Sequence, residues 1–371
     1  MTSVADSSPL PSVEPPPAGR AAFAPSEPRT RFKSLLRKIG SGEHTSSGLT
    51  REEAREALEL MLTGQASPAQ IGAFLIAHRI RRPEPQELTG MLDLYREWGP
   101  RLHSSHRAIC FGMPFDGRSR TAPVYPLTAL VLAAAGYPVV LAGAERMPVK
   151  YGVTPRELFA ALGVDLAGLP LARVQEGLDV HDLALVHQPV HFPLAGSLIP
   201  YREELGKRPP VASLELLWTP HQGDHLLASG FVHPPTEARA WEALHLAGET
   251  DLVTVKGLEG STDLPISRAC VTARVRQGHS ERVILHPRDH GCYGPDTPWT
   301  AEPDWARQAL AALDGGGELF PAAVWNAGCY LWFAGSRNRL ESCLEQAREL
   351  LSAGSAGAKL ENLIRWRRSV A

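Results

Sequence analysis

Long apolar runs are missing from this chain. No stretch approaches the roughly 20 consecutive apolar residues of a membrane-spanning helix, and the N-terminus lacks the charged-then-apolar plan of a secretory signal; a cytoplasmic location with no membrane partner is expected. Cysteine is scarce. Cys110, Cys270, Cys292, Cys329 and Cys343 are odd in number and none stands in a CxxC pair, so they read as reduced thiols. No HExxH pattern occurs, and no dedicated zinc site is expected. The glycine-rich DGGGELF (Asp314–Phe320) lacks Gly-Lys-Ser/Thr and is read as a loop between helices. No Gly-x-Ser-x-Gly nucleophile elbow is present. Net charge of one sign is also lacking. At −2 over 371 residues there is no polycationic field, so any nucleic-acid site must be a local patch.

What is present divides the chain in three. Residues 1–30 are rich in Pro, Ser and Ala and read as a disordered tail, because they bury too little apolar surface to offset their ordering entropy. Residues 31–105 hold helical signals. LTREEAREALELMLTG opens with a capping box, Thr50 with Glu53, and ASPAQIGAFLIAHRI with another, Ser67 with Gln70 after which apolar residues recur at helical spacing. EPQELTGMLDLYREWG supplies a third helix, giving a small helical domain. From about residue 106, short apolar runs (AICFGM, YPVVLAG, DLALVHQP) alternate with helices (PLTALVLAAAG, TPRELFAALG). That alternation predicts βαβ units around a largely parallel sheet over 106–371. ACVTARVRQGHSERVILHP adds a hairpin, and three helices close the chain.

One loop invites chemistry. FGMPFDGRSRT (Phe111–Thr121) joins an apolar run to an alanine-rich helix. Arg118, Ser119, Arg120 and Thr121 sit just before that helix, where guanidinium groups and a helix N-terminus can hold an anion. The same residues can also make a solvated, charged turn. Three basic runs stand elsewhere: RTRFKSLLRK (Arg29–Lys38), RIRR (Arg79–Arg82) and RWRR (Arg365–Arg368). They leave open a nucleic-acid or nucleotide partner, or plain solvated faces.

The order of these pieces resembles the anthranilate phosphoribosyltransferase family, from roughly Leu49 to Leu363. The likeness rests on ASPAQIGAFLIAHRI, on LVHQPVHFPLAGSLIPYREELGKR with its turn, arginine and Leu-Gly, and on VWNAGCYLWFAG with the final helices. It implies an α/β fold of the nucleoside phosphorylase/phosphoribosyltransferase type. A small all-α N-terminal domain, joined by segment 190–208, stands beside a central, largely parallel sheet. It also implies an active site between the domains and a homodimer made through the helical one. The activity implied is transfer of a phosphoribosyl group from phosphoribosyl pyrophosphate (PRPP), with Mg²⁺ as cofactor.

The family's motifs are altered here. Its Gly-Thr-Gly-Gly-Asp-Gly phosphate cradle becomes Gly112, Met113, Pro114, Phe115, Asp116, Gly117, and a proline in that place removes a donor. The resemblance then implies that Gly112, Asp116 and Gly117 still line the phosphate site. Arg118, Ser119, Arg120 and Thr121 are expected to replace the lost backbone donors. The acceptor stretch becomes Ala142, Gly143, Ala144, with Arg146 and Lys150 as new cations. His191 matches a family histidine, and Arg202 the arginine that contacts the aromatic acceptor. The metal-holding Asp-Glu pair becomes Thr262-Asp263, leaving Asp263 and, close by, Glu259 as candidate Mg²⁺ ligands. Arg202 and Asp263 are the expected catalytic residues. These losses imply an acceptor other than anthranilate. The alternative is a non-catalytic protein binding nucleic acid or a nucleotide on the same fold.

Overall fold

The computed structural model describes residues 26–42 and 45–370. Four helices open it: α1 (Glu27–Gly40), α2 (Arg51–Leu62), α3 (Pro68–Arg81) and α4 (Pro85–Trp98). Both capping boxes are formed, Thr50 with Glu53 and Ser67 with Gln70. Sequence reading gives three helices here, and α1 is the addition. Phe32, Leu35 and Ile39 recur on one buried face, but basic residues between them mask the stripe. The tail expected over 1–30 lies outside the described residues as far as 25, and Glu27–Thr30 already belong to α1.

The helical domain is pinned by one buried acid. Glu87 accepts from the amides of Leu49 (2.8 Å) and Glu84 (2.6 Å) and pairs with Arg81, with His78 3.6 Å away. Burial pushes its carboxyl up, but the contact with His78, the Glu84 amide and Arg81 outweigh burial and bring it down to about 2. A carboxyl depressed on folding adds stability above its unfolded value and gives it up as pH falls through the folded one. The contribution here is on the order of 3 kcal/mol. Glu87→Gln should therefore cost about that much at pH 6 and almost nothing near pH 2, measured by urea unfolding at both.

Seven strands form one sheet: β1 (Ala108–Gly112), β2 (Val139–Gly143), β3 (Leu183–His187), β4 (His225–Gly230), β5 (Asp251–Val255), β6 (Cys270–Arg276) and β7 (His279–Leu285). Their order is β3-β2-β1-β4-β5-β6-β7. β1 to β5 run parallel, and β6 and β7 are the antiparallel hairpin read from sequence. Both faces are covered, which is why β1, β2, β3 and β5 are buried along their whole length. Ile109 and Phe111 face a core built with helix α5 (Tyr125–Ala134) and the C-terminal helices. Ala108 and Cys110, on the opposite face, join the core that continues into α1–α4. The chain winds outward from β1 to β3 and returns to place β4 on the other side of β1. In open α/β sheets such a reversal of strand order leaves a crevice at the strands' C-terminal ends, where ligands bind.

Candidate functional site

The crevice is roofed by the loop between β1 and α5. Gly112 ends β1 where a Cβ would stand 2.0 Å from the carbonyl oxygen of Leu216, so no larger residue fits. Gly117 turns the loop at a φ of +73°, the left-handed region that glycine enters without cost. Between them the Phe115 amide donates to Glu215 Oε2 at 2.9 Å.

The next three amides converge. Ser119, Arg120 and Thr121 point their N–H groups at one carboxylate, that of Glu259, at 3.2, 3.0 and 3.0 Å, and the Thr121 hydroxyl adds a fourth bond at 3.0 Å. Successive amides aimed at one point make an anion-binding nest. Here the chain fills the nest with its own anion. Burial pushes the Glu259 carboxyl up, but the amides of Ser119, Thr121 and Arg120 outweigh it and hold it below the ordinary carboxylate range. Glu259 itself sits at a φ of +56°, which costs a non-glycine residue of order 1 kcal/mol that the nest must offset. Lys150 staples the same turn, donating to the carbonyls of Gly117 (3.4 Å) and Glu259 (3.2 Å), and burial lowers its ammonium.

The arginines expected to cradle phosphate do something else. Arg118 is 2% exposed and pairs with Asp263, while its other arm reaches the Thr121 hydroxyl. Asp263 also accepts the Val124 amide at 2.8 Å, at the mouth of α5. Arg120 points outward, its side chain 78% exposed. The expected replacement of backbone donors by guanidiniums is therefore not what the structure holds. Backbone donors are present in the amides of Ser119, Arg120 and Thr121, and an arginine buried in an ion pair supports the loop that carries them. Sequence missed this because Arg118 and Asp263 lie 145 positions apart.

Asp263 and Glu259 do not fit a protein-held Mg²⁺. Both Glu259 oxygens are committed to amides and the contacted Asp263 oxygen to Arg118 and Val124. Thr262, at the first position of the family's pair, is buried without a partner for its hydroxyl among the described residues.

Arg202 is 3% exposed and donates to Glu215 Oε1 at 2.5 Å and to Met147 Sδ at 3.0 Å. Its Nε and second Nη are unpartnered among the described residues, as is Oδ1 of the buried Asp116, whose other oxygen lies 3.9 Å from Arg202. The void at Arg202, lined by Tyr95, Met147 and Gln188, measures about 20 Å³. That holds one water and no aromatic ring. Arg202's carboxylate partner is Glu215, not the adjacent Glu203 or Glu204. Glu215 went unnoticed in the sequence. Its only signal is an acid inside the apolar run SLELLW.

The remaining candidates are peripheral. His191 accepts the His187 amide at 2.9 Å, and its other nitrogen meets the Leu169 carbonyl at 2.8 Å, so it fixes a turn. Arg146 is tied to Glu157 and Glu302. Gly143 ends β2 against the ring of Pro155. None of the three joins the nest.

Beside the nest lies a far larger cleft, about 670 Å³, between the helical domain and the ends of β4 and β5. Arg79, Arg82, Arg208 and Arg239 line it, together with Phe231 and His233. Arg79, Arg82 and Arg239 have no carboxylate partner among the described residues, whereas Arg208 shares Glu215 at 3.3 Å.

Comparison with known proteins agrees with this layout. Residues 33–99 match the model of the glycosyl transferase family, helical bundle domain. Anthranilate phosphoribosyltransferase of Methylobacterium nodulans is 29% identical over 341 residues, covering 90% of this chain and 98% of the relative. That of Rhodopseudomonas palustris is 28% identical over 338 residues, 90% and 97% of the two chains. The crystal structure of anthranilate phosphoribosyltransferase from Thermus thermophilus superposes with a TM-score of 0.76 at 27% identity, over 91% of this chain and 99% of that one. The Saccharomyces cerevisiae enzyme in complex with PRPP and Mg superposes at 0.79 and 15% identity, over 92% and 99%, a likeness of fold alone. Among the described residues no helix is long and apolar enough to cross a membrane.

Proposed function

We propose, starting from a chain that belongs to the anthranilate phosphoribosyltransferase family, that it transfers a phosphoribosyl group from PRPP to an acceptor other than anthranilate. One observation carries the reading. The void at Arg202 is about 20 Å³, while the arginine-lined cleft beside it is about 670 Å³. The acceptor is therefore a larger, anionic molecule with an apolar body, held by Arg79, Arg82 and Arg239 against Phe231.

The diphosphate of PRPP takes the amides of Ser119, Arg120 and Thr121, and Glu259 must first leave them. Cleavage at the sugar builds positive charge there, and Asp116 is the carboxylate at hand to stabilise it. The yeast relative's Mg²⁺ has no ready pair of carboxylates here, so any Mg²⁺ comes on the diphosphate. A homodimer through α1–α4 belongs to the same reading, checked by light scattering of the purified chain.

Pyrophosphate release tests the proposal. PRPP, Mg²⁺ and anthranilate should give no release above background, and a panel of larger anionic aromatic acceptors should. Turnover on anthranilate at the expense of the panel sinks the altered-acceptor reading.

The arginines without a carboxylate partner among the described residues also favour a second reading, a nucleic-acid or nucleotide ligand in the cleft. Two of the basic runs support it less than their sequences suggest, since Arg31, Lys38 and Arg81 are held by Glu56, Glu53 and Glu87. Oligonucleotide affinity that falls steeply with salt and is lost in Arg82→Ala/Arg239→Ala supports this reading, and affinity flat in salt removes it.

A further inference from the structure

We infer that Cys110, His221 and His225 form a transition-metal site of the zinc type, at the N-terminal end of β4, away from the cleft. The strand register brings them together. Ala108 pairs with His225 and Cys110 with Leu227, so Cys110 and His225 are diagonal neighbours on one face of the sheet. His221 arrives on the segment before β4, anchored by a bridge to Leu102. One ligand atom from each of the three lies within 4.8 Å of the others. Ligand atoms around a tetrahedral zinc stand roughly 3.3–3.8 Å apart, so side-chain shifts of about 1 Å close the set.

The hydrogen bonds around the two rings decide which nitrogens are free. Ser104 donates its hydroxyl to the His106 carbonyl at 2.5 Å, so it must accept from His221 Nε2, 2.8 Å away. That leaves His221 Nδ1 as a bare lone pair, and it is buried with no partner among the described residues, on a residue 4% exposed. His225 Nδ1 meets the Gly223 carbonyl at 2.8 Å and donates to it, which leaves Nε2 as the atom that would meet a metal. Metal-bound histidines are held in this manner, with the second N–H given to a carbonyl or hydroxyl. Glu249 Oε2, 3.1 Å away and on a carboxylate that also pairs with Arg96, accepts the His225 Nε2–H, a proton that a bound metal would displace. A thiolate and two imidazoles suit zinc or its tetrahedral substitute cobalt. A cavity of about 250 Å³, lined by His221, His225, Glu249 and Arg96, gives entry and an open position.

The lack of an HExxH helix motif does not reach this proposed site. His221 and His225 do stand as H-x-x-x-H, but in a turn and strand start rather than on a helix, and their cysteine partner is 111 residues upstream.

Cobalt titration of the EDTA-treated full chain tests the site. One equivalent of Co²⁺ should bring a thiolate-to-cobalt charge-transfer band and tetrahedral visible bands, and Zn²⁺ should bleach them. Cys110→Ser should abolish the charge-transfer band, and Cys343→Ser should keep it. His221→Gln should weaken affinity by 100-fold or more, and Ser104→Ala, which only orients His221, by about 10–100-fold. His221→Gln keeps the thiol and so remains informative where Cys110→Ser fails to fold. No charge-transfer band in the parent chain, or one that survives in Cys110→Ser, overturns the site.

Discussion

Arg118→Ala should cost about 3–5 kcal/mol of stability, because it strips the partner from a buried carboxylate. Asp263 and Arg118 are each about 2% exposed, and without the guanidinium Asp263 keeps the Val124 amide. The loop from Phe115 to Thr121 also loses the arm that reaches the Thr121 hydroxyl, so the nest should loosen as the fold weakens. Urea unfolding measures the loss. Replacing both partners by apolar residues of similar size, Arg118→Met with Asp263→Leu, should recover most of it, since breaking a buried pair costs more than exchanging it. A loss below about 1 kcal/mol would mean that water reaches the pair and screens it.

Glu215→Ala should be as severe, about 3–5 kcal/mol, for a related reason. One carboxylate accepts from Arg202 at 2.5 Å, the Phe115 amide at 2.9 Å and Arg208 at 3.3 Å. Its removal leaves Arg202 buried with the sulfur of Met147 and the distant Asp116. It also joins the void at Arg202 to the deleted side chain's volume. Glu215→Gln keeps an acceptor but removes the charge, and its cost should fall between the alanine variant and none. If Glu215→Ala and Glu215→Gln are equally mild, the Arg202–Glu215 pair does not carry the stability assigned to it.

Much of the fold was legible because it rests on local chemistry. The capping boxes at Thr50 and Ser67 announce α2 and α3 in four residues each. The largely apolar strands announce a sheet buried on both faces. The hairpin β6–β7 is marked by Gln277-Gly278 at its turn, where both residues have positive φ. The site was less legible. Its loop was found, since Gly112 and Gly117 sit where only glycine fits. The roles of the charged residues were not, because a guanidinium can face a ligand or a carboxylate and the sequence does not say which. Arg118 meets Asp263 across 145 positions, and Glu259 meets the nest across about 140. Glu215 and the Cys110 cluster belong to the same class, pairings made by topology rather than by spacing.

Glu259 binds the nest with an anion of the chain's own, and it stays ionised at neutral pH because the amides lower its carboxyl. On the function proposed above, substrate diphosphate and the Glu259 side chain compete for the same three N–H groups. Calorimetric titration of PRPP with Mg²⁺ into the parent chain and into Glu259→Ala reads that competition directly. Loss of the competing carboxylate should tighten binding by tenfold or more, about 1.4 kcal/mol. Equal or weaker binding in Glu259→Ala would instead make Glu259 a ligand for substrate or metal and contradict the self-occupied nest.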